Sequence, residues 1–199
     1  EAFVFEAMRR ELDFMLADSV INGSGVGRPL GVINSGAMIT VSAEAGQTEG
    51  VVFENVNKMW SRLMPSSRKN AIWCINQEVE RDLHELSIGV GVAGQPVYMP
   101  AGGVSSAPYS TLFGRPVCAI EQAQARNTAG DIMLCDFSRY LMIDRQARLD
   151  SSIHLRFLHD EEILRALISV DGQPELEAPV NPFNGTDTVS SFVMLDSRS

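Results

Sequence analysis

At 199 residues, with 45% hydrophobic and 21% charged side chains, the chain has the composition of a soluble globular protein, long enough to bury a real core in one ordinary domain or two small ones. No run approaches the ~20 consecutive apolar residues of a membrane span. A net charge of −9 and a pI near 4.8 exclude a surface that grips phosphate backbones chiefly through Lys and Arg, although an acidic shell enclosing DNA is compatible with them.

Residues 1–36 combine an amphipathic helix with a glycine-rich turn. Phe5, Met8, Leu12, Met15, Leu16 and Val20 recur at steps of three or four, and Arg9, Arg10, Glu11, Asp13 and Asp18 take the opposite side. No capping Ser, Thr, Asp or Asn precedes them, so the chain is expected to start inside a longer helix. Asn22-Gly23 stops the helix, and Gly25, Gly27 and Gly31 with Arg28 and Pro29 make an irregular reversal. A phosphate-binding loop would need a strand before the glycines and a helix start after them. Here the helix comes first, and its electronegative end faces the turn.

Residues 37–41 read as a strand, 42–50 as a polar loop, and 51–64 as a helix with Val52, Val56, Met59, Trp60 and Leu63 on one stripe and Pro65 at its end. After a turn at 66–70, the continuous apolar run 71–76 predicts a strand covered on both sides. A third helix is expected over 77–86, with Glu78 and Glu80 in its first turn. Residues 89–106, rich in Gly and carrying Pro96 and Pro100, read as an irregular loop. Residues 112–120 read as a strand broken by a Gly114-Arg115-Pro116 turn or bulge.

From Asp131 the pattern is one of strands: 132–136, then 140–144 after a short turn. Residues 149–157 alternate in part, with Ile153, Leu155 and Phe157 on one face and His154, Arg156 and Leu158 on the other. Residues 163–170 are expected to end at an Asp171-Gly172 turn, and 189–195 form the last strand. Helix and turn, an alternating middle and consecutive final strands make an α+β chain.

Catalytic signatures are missing. His154 and His159 diverge whether placed on a strand or a helix, so one metal ion could not easily take both. Cys74, Cys118 and Cys135 are far apart among apolar neighbours, as buried free thiols of a reducing compartment are. Neither a Gly-x-Ser-x-Gly elbow nor a His-Glu-x-x-His motif occurs. No catalytic, cofactor or metal site is expected.

The stretch from Asn22 to Val32 resembles the segment that follows the spine helix in tailed-phage major capsid proteins of the Hong Kong ninety-seven fold. Further matches to that family are the helix-flanked strand 71–86, the Leu-Phe-Gly-Arg-Pro-Val segment at 112–117, Asp136-Phe137-Ser138, and the strand leading to Asp171-Gly172. The resemblance implies an α+β capsid fold: residues 1–36 as the first part of a peripheral domain holding the spine helix, 37–135 as an axial domain, and 136–199 as the second peripheral part. It implies a non-enzymatic shell subunit, in the virion capsid and, during assembly, the host bacterial cytoplasm. Its partners would be copies of itself in hexamers and pentamers, with portal and scaffolding proteins as further candidates. DNA is enclosed without sequence-specific binding, and no membrane is involved. Members carry an N-terminal arm and an extended loop before the spine helix, and neither precedes Glu1, so this stretch alone is expected to be a monomer or small oligomer. Some members also cross-link subunits through a Lys on that loop, which has no counterpart here, so cross-linking is not implied. Subunit contacts are expected in the irregular stretches, at Gly23, Gly25, Gly27 and Arg28 and at Gln95, Pro96, Tyr98 and Pro100. A bacterial nanocompartment shell shares the same fold. The reading from another class is a ligand binder or enzyme with its site at the glycine turn, which would show a deep cleft and perturbed ionisable groups there.

Overall fold

The apolar spacing of the first twenty residues builds one helix, α1 (Ala2–Asn22), in a computed structural model that describes residues 2–88, 95–96, 98–99, 110–152 and 154–198. Phe5, Met8, Leu12, Leu16 and Val20 are half-buried as the spacing predicts. Met15, assigned to the same face, is instead 57% exposed. Successive residues differ by about 100° around a helix, and α1 lies on a narrow support that Leu16 reaches and Met15 does not.

The elements that follow are β1 (Met38–Val41), α2 (Phe53–Arg62), β2 (Ile72–Ile75), α3 (Glu80–Glu85), β3 (Ser87–Ile88), β4 (Gln95–Pro96), β5 (Tyr98–Met99), β6 (Thr111–Leu112), β7 (Arg115–Ala119), β8 (Ile132–Cys135), β9 (Tyr140–Ser152), β10 (Ile163–Pro174) and β11 (Phe192–Leu195), with single 3-10 turns at Phe137–Arg139 and Phe157–His159. Seven strands form a mixed sheet in the order β1-β11-β8-β2-β7-β6-β5, in which β1/β11 and β2/β7 are parallel. Thus the last strand in sequence closes against the first and joins the main sheet.

Both faces of that sheet are covered, which is why its central strands read as unbroken apolar runs. Trp73, Ile75, Ile132, Leu134, Val193 and Leu195 pack under α2 and α3 with Val56, Met59, Leu63 and Leu83. Their neighbours Cys74, Met133, Cys135 and Phe192 point the other way, against Ile21 and Val32. The fully buried Trp73 indole donates to the Leu112 carbonyl at 3.0 Å, which satisfies its one polar atom. Phe113 and Gly114, both at positive φ, turn β6 into β7, so the chain reverses one residue earlier than the Gly-Arg-Pro reading places it.

The second sheet is a long ribbon of β9 and β10 alone. It corrects three expectations. First, residues 140–144 and the start of 149–157 are one continuous strand. Second, that strand ends at Ser152, and Leu155, Phe157 and Leu158 lie exposed in a tip that no strand faces. Third, Asp171-Gly172 is no turn: Asp171 pairs with Ile143 and Gly172 with Met142, because β9 offers a ladder through both positions. Glycine is needed at 172 for space, since a Cβ there would lie 2.8 Å from the Tyr140 ring.

Candidate subunit interface

The glycine turn closes the end of α1. Gly23 N–H donates to the Ser19 carbonyl, and the chain then doubles back so that Val32 and Ile33 donate to the carbonyls of Val20 and Ile21 at 2.9 and 3.1 Å. Asn34 Nδ2 donates to the carbonyls of Asn22 and Gly23. These donors satisfy carbonyls that a helix end leaves orphaned. The two returning strands of chain lie so close that a Cβ on Gly23 would run into the Pro29 and Ser19 carbonyl oxygens, and one on Gly31 into the backbone of Gly23 and Ile21.

Gly23 is buried in this closure, while Gly25 (φ +75), Gly27 (φ +69) and Arg28 stand on the surface with Ser24 and Val26. Arg28 Nε donates to Ser24 Oγ at 3.4 Å. The turn is held on two sides. Leu30 N–H donates to Gly172 O at 2.8 Å, and the Tyr140 hydroxyl donates to Leu30 O at 3.0 Å, joining it to the ribbon. Burial, then the nearby Asp171 charge, lift the Tyr140 phenol above its ordinary value, which keeps it a donor. On the other side Asn22 donates to the Gln122 carbonyl and accepts from Gln124 Nε2, both at 2.9 Å, fixing the end of α1 to the loop between β7 and β8.

Gln95 and Pro96 lie on β4, paired with β3, and Tyr98 lies on β5 at the far edge of the main sheet. Pro100 lies outside the described residues. The two groups of expected contact residues thus sit on different parts of the fold. Sequence reasoning missed the ribbon's open face and the outer face of α1. The signal for the latter was available, since Phe3 and Phe14 fall on the side assigned to charge.

A hollow of about 700 Å³ lies between α2 and α3, and a smaller one of about 410 Å³ brings Gly27, Arg28 and Pro29 of the glycine turn together with Leu12, Leu16 and Val170. In the hollow between α2 and α3, Arg126 holds the buried Asp82 carboxylate through Nε at 3.0 Å and approaches Glu49 at 3.6 Å, and Glu54 and Glu85 add two further carboxylates to its lining. His84, His154 and His159 are exposed, and among the described residues no three potential ligands gather around a metal position.

The sequence model of the phage capsid family matches residues 1–185. The chain belongs to the phage capsid family. Two solved structures superpose on all of it: the capsid of a native GTA particle computed with C5 symmetry, with a TM-score of 0.73 at 15% identity, and the capsid of an empty GTA particle computed with C5 symmetry, with a TM-score of 0.69 at 16% identity. Each match covers 100% of this chain and 66% of the other, so the chain spans about two thirds of the length of those capsid chains. No curated protein matches by sequence. The capsid-family fold is the α+β Hong Kong ninety-seven type. The ribbon and α1 carry exposed apolar side chains at its margin.

Proposed function

We propose that this chain is the shell-forming part of a capsid subunit that self-assembles into an icosahedral shell enclosing a genome. The observation that carries the reading is the family match across residues 1–185, joined to a surface that leaves apolar side chains open on two thin elements, α1 and the ribbon. A two-stranded ribbon is marginal alone in water, and neighbouring copies would supply its missing cover. In this reading residues 37–135 are the axial part, to whose sheet β11 is added from the last segment, and residues 1–36 and 136–199, with α1, the glycine turn and the ribbon, are the peripheral part. Gly25, Gly27 and Arg28, with Gln95, Pro96, Tyr98 and Pro100 at the other end, are proposed contact positions. Gly23 serves by shaping the turn. The subunit would act in the virion capsid after assembling in the host cytoplasm, beside portal and scaffolding proteins, and its acidic charge suits enclosing DNA without gripping it.

Electron microscopy with size-exclusion chromatography, on the chain extended by whatever its gene encodes upstream of Glu1, tests this. Closed shells tens of nanometres across are expected. A well-behaved monomer at all concentrations would overturn the proposal.

A further inference from the structure

The ribbon has two faces of different character. Along β10 the even positions 164 to 172 are half-buried and the odd positions 165 to 173 are exposed. Ile168 and Val170 on the first face share a hollow with Leu12, Met15 and Leu16, so that side lies under the molecule's own α1. The opposite face is open. It carries Leu141, Ile143 and Leu167, with Ile143 77% exposed, beside Arg145 and Arg148.

The two arginines share that face because of an irregularity. On a regular strand residues three apart point to opposite sides. The register of β9 and β10 shifts between Leu167 and Ser169, so positions 146 and 147 together oppose Ile168, and Arg148 sits across from Leu167 while Arg145 sits across from Ser169. The resulting depression of about 480 Å³ is lined by Arg145, Ala147, Arg148, Leu167 and Ser169. Arg165 on the same face pairs with Asp150 at 3.0 Å, whereas neither Arg145 nor Arg148 has an ion-pair partner among the described residues. In a chain of net charge −9 this is an apolar strip into which Arg145 and Arg148 are set between Ile143 and Leu167, with Asp171 across from Ile143 as the acidic residue nearest Arg145 on that face.

The complement is on the same molecule. The outer side of α1, diametrically opposite its half-buried stripe, presents Phe3, Ala7 and Phe14 in a shallow groove with Glu6, Arg10 and Glu11. Phe3 is 82% exposed. Glu6 and Arg10 pair with each other, which leaves Glu11 without an ion-pair partner among the described residues. The helix also fits within the length of the ribbon: 21 helical residues span about 31 Å, and the 12 residues of β10 about 40 Å.

From these surfaces we infer that the open face of the ribbon receives the outer face of α1 from a second copy of this chain, with Phe3 and Phe14 over Leu141, Ile143 and Leu167, and Glu11 toward Arg145 and Arg148. The inference rests on the shell-subunit reading and names its contact. The packing repeats what the molecule already does internally, a helix laid along this ribbon, so each ribbon becomes a sheet covered on both faces. Because the two surfaces differ, the contact is heterologous and propagates around a ring.

Phe14→Cys and Leu167→Cys chains, each with Cys118→Ser to remove the half-exposed thiol, are mixed and oxidised with a small-molecule disulfide. A linked dimer at least about tenfold above either variant alone is expected. Shells or oligomers that form without this cross-link overturn the docking and leave the shell function standing. All variants are made in the chain extended upstream of Glu1, and an extended wild-type chain that does not associate at all overturns both. Separately, Arg145→Glu with Arg148→Glu is expected to weaken self-association at least about tenfold at an unchanged unfolding midpoint. Unchanged association overturns the inference, and loss of duplex DNA binding with association intact overturns it in favour of a phosphate backbone as the arginines' partner.

Discussion

Replacing Arg198 by Ala tests how the end of the chain is locked to the core. Arg198 and Asp131 form a fully buried ion pair, with Nη1 donating to Oδ1 at 3.2 Å and Nη2 to Oδ2. Asp131 Oδ2 also accepts from the Asn127 backbone N–H at 2.9 Å, Arg198 N–H donates to Asn127 O, and Asn127 Oδ1 accepts from Gly50 N–H. One carboxylate thus ties the tail to the loop before α2. Arg198→Ala leaves that carboxylate buried with backbone donors only, and the expected loss is about 3–5 kcal/mol. The double change Asp131→Leu with Arg198→Met removes both charges and should cost far less, within about 1–2 kcal/mol of wild type. Equilibrium urea unfolding of the three proteins measures this. The effect also depends on pH. Burial, opposed by Arg198, raises the Asp131 carboxyl above its ordinary value. A carboxyl raised on folding contributes stability fully below its unfolded pKa and loses it as pH rises through the folded one. Without Arg198 the carboxyl rises further, so the penalty of Arg198→Ala should grow as pH rises above about 4, the ordinary carboxyl range. A penalty under about 1 kcal/mol, or one that shrinks with rising pH, would refute the argument that an unmatched buried charge governs this site.

The glycine turn predicts an order: Gly23→Ala, whose Cβ meets backbone on both sides, should cost about 3 kcal/mol, and Gly27→Ala, with open space but φ of +69, about 1 kcal/mol by thermal unfolding. Tyr140→Phe removes the hydroxyl donor to Leu30 O, which should lower stability by about 1 kcal/mol and speed hydrogen exchange at the Leu30 amide. Thiol titration of the native protein should label Cys118 alone. Burial, then the Cys118 neighbour, push Cys74 up to about 12, and burial raises Cys135 well above its ordinary range, so both stay unreactive until the chain unfolds.

Much of this molecule is legible in its residues because short-range rules act alone there. Apolar spacing places α1 and α2, though α2 spans 53–62 rather than 51–64, and Pro65 follows its end. The run at 71–76 is a strand covered on both sides because only an apolar stretch survives between two layers. Asn22-Gly23 stops a helix wherever it stands, and the order of helix and glycines already excludes an anion cradle.

Tertiary structure decided the rest. Asp171-Gly172 carries a turn signal, yet pairing with β9 keeps it extended, since a ladder of hydrogen bonds outweighs a local preference. The bulge that aligns Arg145 with Arg148 depends on how β9 meets β10, and no spacing along either strand announces it. Met15 reads as one apolar stripe with Leu12 and Leu16, but only a located partner decides that Leu12 and Leu16 are half-buried while Met15, like Phe14 on the opposite side, stays exposed. The sequence carries the periods of its elements, which are local properties. Which faces remain unpaired is a property of the packed chain, and in a shell-forming family that remainder is where function lies.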